Sequence, residues 1–122
     1  MYPVSRRRKS WLRGIQAVVQ LRAATAPQAL IEVGLSTAFG CTLQGAVPED
    51  EVIRLAVQCA EAGVDEVGLS DTTGMANPAQ VRRLFTRLRA ELGPKAGAAH
   101  MHNTRGLGLA NCLAAYDVGV RT

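Results

Sequence analysis

Residues 64–93 read VDEVGLSDTTGMANPAQVRRLFTRLRAELG, and this stretch decides the fold. Val64 to Ser70 is a short, mostly apolar run of strand length. Asp71-Thr72-Thr73-Gly74 is a turn at its C-terminal end. Asn77 suits a helix N-cap, and Pro78 suits the first helical position. Val81, Leu84, Phe85 and Leu88 then recur at helical spacing, with Arg82, Arg83, Arg87 and Arg89 on the outer face. Gly93-Pro94 stops the helix. Strand, polar turn and capped helix within roughly 30 residues make one βα unit.

The same unit recurs on either side. Leu30 to Thr37 reads as a strand bounded by Pro27 and Gly40, and a two-glycine loop from Ala38 to Val47 follows. Pro48 starts a helix with Glu49, Asp50 and Glu51 crowding its first turn, where the helix dipole favours acids. Val52, Leu55, Ala56 and Cys59 are its inward stripe, and Gly63 closes it. Ala96 to Met101 is a third strand, Gly106 to Val118 a third helix, and Gly119-Val120 leads toward a fourth strand. Upstream, Trp11, Ile15, Val18, Val19 and Leu21 recur at helical spacing between about Ser10 and Ala24.

A helix followed by three βα units predicts an α/β fold: a parallel sheet with its helices outside. A closed (β/α)8 barrel needs about 250 residues. The chain has 122, so on counting alone an open flavodoxin-like sheet fits better.

Charge divides the chain. Of its 14 basic residues, six (Arg6, Arg7, Arg8, Lys9, Arg13 and Arg22) precede the first acid, Glu32, leaving eight against ten acids. The basic character therefore belongs to an N-terminal arm, taken as residues 1–20 with the start of a helix. A basic arm can meet nucleic acid or an anionic membrane, but no nucleic-acid-reading module accompanies it, and a solvated terminus is the plainer reading. Neither partner is expected. Three widely spaced cysteines, Cys41, Cys59 and Cys112, form no CxxC pair. Free thiols fit a reducing compartment such as the cytoplasm. No stretch is long and apolar enough to span a membrane.

Polar residues gather at the predicted C-terminal ends of all three strands: Ser36-Thr37, Asp71-Thr72-Thr73 and His100-Met101-His102-Asn103-Thr104. In parallel α/β folds that edge binds ligands. His100 and His102 are the only histidines and lie two apart on a strand, so both imidazoles share a face while Met101 points to the helices. Such a pair suits a divalent metal, although a lone HxH is more often a satisfied polar pair; the position at a strand's C-terminal end favours the metal. Asp71 reads equally well as a turn residue holding loop amides or as a carboxylate near a metal or substrate hydroxyl. Asn103 is placed to orient the histidine edge and Arg105 to meet an anion. No phosphate-loop motif is present. Cys41 is read as a packing or loop residue.

Taken together, Gly34-Leu-Ser-Thr-Ala-Phe-Gly-Cys41, Gly68-Leu-Ser-Asp-Thr-Thr-Gly74, His100-Met-His-Asn-Thr-Arg-Gly106 and Leu109-Ala-Asn111 resemble hydroxymethylglutaryl-CoA lyases, over roughly Leu21 to the end. The Asp-Thr-Thr-Gly and HxH motifs are shared with isopropylmalate synthase and carboxyltransferase barrels; the Ser-Thr-Ala-Phe-Gly-Cys stretch is more specific to the lyases. The resemblance implies that residues 21–122 are a partial (β/α)8 barrel, strands five to seven and the entry to eight. It implies that His100 and His102 bind a catalytic Mg2+ or Mn2+, with Asp71 in the active site. It implies retro-Claisen cleavage of an acyl-CoA substrate, and a homo-oligomer for the full-length relatives. The family's first-strand Arg-Asp pair, its cysteine loop after strand eight and its asparagine ligand have no counterpart here. Thr42 stands for proline, and Asn103 and Arg105 for the commoner Asp and Tyr. The expectation is a lyase segment inactive on its own, with a related synthase or a mere interaction module as the alternatives.

Overall fold

The computed structural model describes residues 4–122, with side chains from Ser10 onward. The side chains of Arg6, Arg7, Arg8 and Lys9, the heart of the basic arm, lie outside the described residues. Helix α1 (Val4–Thr25) leads into β1 (Glu32–Leu35), α2 (Glu49–Glu61), β2 (Glu66–Asp71), α3 (Pro78–Leu92), a 3-10 turn (Gly93–Lys95), β3 (Ala96–Met101) and α4 (Gly108–Asp117). The three βα units are thus present, with β1 shorter than its apolar run suggests. Helix α1 begins well before Ser10.

The sheet order is β1-β2-β3 and both pairings are parallel. Strands follow one another in space as in the chain. A flavodoxin-like sheet would reverse direction and put its first strand between the second and third. The sequential order is that of a barrel wall, so the length argument for an open doubly wound sheet fails. The predicted fourth strand does not form. After Gly119 the chain makes a single ladder-like bond, Ala99 N–H to the Thr122 carbonyl at 2.9 Å, too few for a strand.

One apolar core lies between the sheet and the helices. Val67 and Leu69 of β2 meet Val52, Ile53, Ala56 and Cys59 of α2, Val81, Leu84, Phe85 and Leu88 of α3, and Ala114 and Ala115 of α4. In α2, Ile53 is buried and Leu55 only partly so, a rotation of the stripe predicted for that helix. The expected stripe of α3 is fully buried, each side chain contributing about 1.5–3 kcal/mol. Its N-terminus carries the expected cap: Asn77 Oδ1 accepts from Gln80 N–H at 3.0 Å, and Gln80 Oε1 accepts from Asn77 N–H. The outward arginines of α3 are used between elements: Arg83 pairs with Glu49 at 2.6 Å and Arg82 with Asp117 at 3.0 Å. Helix α1 is tied on by Arg22, which bonds Asp65 at 2.7 Å and the Gly63 carbonyl at 3.1 Å. Asp65 also accepts from Ile31 N–H at 2.8 Å. That amide and the Arg22 guanidinium hold its carboxyl below the usual carboxylate range.

The other sheet face carries Glu32, Gly34, Glu66, Gly68, Ser70 and His100, none of which joins the core. In a closed barrel this is the interior face.

Candidate active site

Strand β3 explains how the histidines reach that face. Val67 pairs with Ala96, but Leu69 pairs with Ala99, so Gly97 and Ala98 together oppose Gly68. This is a bulge, uncommon between parallel strands. It breaks the alternation. Ala96, Ala99 and Met101 pack on the core, while His100 pairs with Ser70 on the interior side. Strict alternation from Ala96 would have sent His100 into the helices. Gly68 is needed here, since a Cβ on it would sit 2.7 Å from the Ala98 carbonyl oxygen.

His100 and His102 are both exposed, with Met101 turned to the core, as the HxH spacing predicts. Their Nε2 atoms are 3.0 Å apart and their ring centroids 5.0 Å apart. At that distance one Nε2 donates and the other accepts. The same spacing suits one cation in place of the shared proton. Octahedral bonds of about 2.1 Å put adjacent ligand atoms roughly 3.0 Å apart; a tetrahedral zinc site would want about 3.4 Å. Among the described residues no third His, Cys, Asp or Glu completes a metal cluster.

Asp71 lies elsewhere. The alternation that buries Val67 and Leu69 also buries Asp71, at 0% exposure, and its register partner is Met101. Its Oδ2 accepts from Ala76 N–H at 3.2 Å, and its Oδ1 has no partner. Of the two roles open in the sequence, holding loop amides is the one its hydrogen bonds express. Asn103 likewise does not orient them: its Oδ1 accepts from Gly108 N–H at 2.9 Å, capping the start of α4. Arg105 is exposed in the same loop.

The three strand-end loops are tied together. Thr37, held at φ 56°, donates its N–H to Thr72 Oγ1 at 2.8 Å, and Ala38 N–H reaches the Ser70 carbonyl at 3.1 Å. Thr73 Oγ1 donates to the Gly40 carbonyl at 3.0 Å. Gly74, at φ 72°, packs so close to Thr104 that a Cβ there would lie 2.6 Å from the threonine Cβ. Asn111 of α4, 1% exposed, donates from Nδ2 to the Ala76 carbonyl at 3.1 Å. Sequence reasoning quoted Asn111 as part of a motif and gave it no role. Cys41 closes a hairpin with Gly45 at 2.9 and 2.7 Å, and the amides of Gln44 and Leu43 pull its thiol below the ordinary range. Beside this loop a cavity of about 520 Å³ opens between α1 and β1, lined by Trp11, Leu35, Ser36, Thr37, Val47 and Leu55 among others.

Sequential parallel βα units with their polar residues at the strands' C-terminal ends define a segment of a (β/α)8-barrel protein, with its site at the catalytic end of the wall. The family model described as HMGL-like matches residues 2–122, and the chain belongs to that family. A hydroxymethylglutaryl-CoA lyase of Bacillus subtilis is 44% identical over 86 residues, covering 70% of this chain and 29% of the relative. An (R)-citramalyl-CoA lyase of Chloroflexus aurantiacus is 39% identical over 90 residues, covering 74% of this chain and 28% of the relative. Among solved structures, an HMG-CoA lyase of Acinetobacter baumannii in complex with coenzyme A and 3-methylmalate superposes with a TM-score of 0.80 at 38% identity. That match covers 89% of this chain and 35% of the other. The chain therefore spans under a third of the length of these two curated relatives. No described helix is long and apolar enough to cross a membrane.

Proposed function

We propose that this chain forms part of a divalent-metal-dependent acyl-CoA lyase, cleaving 3-hydroxy-3-methylglutaryl-CoA or a similar 3-hydroxy-acyl-CoA to acetyl-CoA and a keto acid. The observation that carries the reading is the 3.0 Å approach of His100 and His102 Nε2 on the interior face, at the C-terminal end of β3. A pair so spaced can supply two neighbouring ligands to Mg2+ or Mn2+. The remaining ligands would come from the rest of the polypeptide.

The reaction breaks a carbon–carbon bond. A base takes the 3-hydroxyl proton, the oxygen forms a carbonyl, and the bonding electrons leave as the acetyl-CoA enolate, which is then protonated. When bound, the ion supplies Lewis-acid stabilisation of charge developing on oxygen. The residues of this chain hold and orient. His100 and His102 offer their Nε2 atoms. Ser70, in register with His100, adds a hydroxyl on the same face. Asp71 keeps the Thr72–Met75 loop in place through Ala76. Arg105, exposed in the β3–α4 loop, suits an anionic substrate group. Two CoA-ester lyases among the relatives support the acyl-CoA assignment.

Mn2+ titration followed by NMR of the imidazole protons tests the metal pair. Paramagnetic broadening of both His100 and His102 is expected at stoichiometric or modest excess metal, lost from the remaining ring in His100→Ala and His102→Ala. Equal broadening of the surviving ring in either variant would refute a shared site.

A further inference from the structure

Asp71 and Asn111 are the two buried polar side chains among the described residues, and both reach the same residue. Asp71, from β2, accepts from Ala76 N–H; Asn111, from α4, donates to the Ala76 carbonyl. One residue of the β2–α3 loop is thus gripped on its donor and its acceptor by two different elements. The gripped loop is the hub of the strand-end lip. Thr72 receives the Thr37 amide, Thr73 reaches Gly40, and Gly74 packs on Thr104, two residues beyond His102. Each side chain leaves one buried oxygen, Oδ1, without a partner. The Nδ2 bond satisfies the Ala76 carbonyl, which a purely apolar side chain at position 111 would leave unpaired.

We propose that Asn111 is a positioning residue: it locks the β2–α3 loop from α4 and thereby sets the three strand-end loops around the histidine pair. It touches neither histidine and acts through Ala76. The functional meaning of this lock rests on the metal-pair reading above; the lock itself does not.

Asn111→Leu, compared with the parent at equal protein concentration, is read by which amides lose protection. It removes the donor, leaves the Ala76 carbonyl unpaired and adds bulk at a buried position, so the melting temperature should fall. Amide exchange, read by NMR or peptide mass spectrometry, should accelerate at least tenfold at Ala76 and Thr37, with Leu84 and Leu88 in α3 unchanged. Asn111→Gln, which keeps an amide donor, should recover part of that protection. Should the leucine variant not fold, Asn111→Ala reads the same amides. Unchanged exchange at Ala76 and Thr37, acceleration spread equally through α3, or no protection of these amides in the parent chain would each overturn the proposal. Mn2+ broadening of the imidazoles should weaken in Asn111→Leu. A parent chain that does not respond to Mn2+ while its loop amides still respond to the substitution would refute the metal pair and leave the lock standing.

Discussion

Gly34 and Gly68 are register partners on neighbouring strands, yet their tolerance of a side chain differs. A Cβ on Gly34 would meet only Ser70 Oγ at 3.8 Å, an ordinary contact, whereas one on Gly68 would meet the Ala98 carbonyl at 2.7 Å. The obstacle is backbone, and it is the bulge that turns His100 inward. Gly68→Ala should therefore cost about 1–3 kcal/mol, while Gly34→Ala should stay within about 0.5 kcal/mol; urea titration measures both. Equal costs would show that the bulge yields freely. At this scale the sequence was partly legible. The HxH spacing put both histidines on one face, and that held. Met101 was read toward the helices, and that held too; the bulge that makes it so could not be read, because Ala96, Gly97, Ala98 and Ala99 are all small and hide the extra residue. Asp71 kept two readings for a similar reason: a carboxylate after an apolar strand looks the same whether it faces ligand or core. Only the parity with Val67 and Leu69 separates them.

Elements were the most legible level. The α3 stripe, its Asn77-Pro78 start and its Gly93-Pro94 stop each follow from side-chain chemistry local to the helix, and all three form. Less local features were missed. The α2 stripe rotates toward Ile53 because the helix packs on α3 as well as on the sheet. Asn103 caps α4 through a contact five residues along. The junction of α1 with the α2–β2 turn depends on Asp65, whose carboxyl is depressed by Ile31 N–H and then by Arg22. A depressed folded value stabilises the fold above the unfolded value of about 3.9 and loses that contribution as pH falls through the folded value. Asp65→Asn should lower the melting temperature at pH 7, and the gap from the parent should close as the pH falls below about 4. A gap independent of pH would mean that the charge is not what ties α1 down.

Across the whole molecule, strand order was the feature that counting residues got wrong. Length favoured an open doubly wound sheet; the β1-β2-β3 order is that of a barrel wall. Such a wall has costs when isolated. Helix α4 exposes Leu109 (80%), Leu113 (65%) and Tyr116 (59%) along one side, the spacing of a helix that expects a neighbour. The outer sides of β1 and β3 carry little pairing. The 122-residue chain alone should therefore associate, with a broad melt whose midpoint depends on concentration. A sharp, concentration-independent melt of a monomer would contradict this.

The proposed metal pair of an acyl-CoA lyase barrel is open to a test by transplantation. Residues 21–122 are placed in the Bacillus subtilis lyase instead of its matching segment, and acetyl-CoA release from 3-hydroxy-3-methylglutaryl-CoA is assayed with Mg2+ or Mn2+. Turnover by the chimera is expected, falling at least 100-fold on His100→Ala or His102→Ala. A folded chimera without turnover, or one indifferent to both histidines, would contradict it.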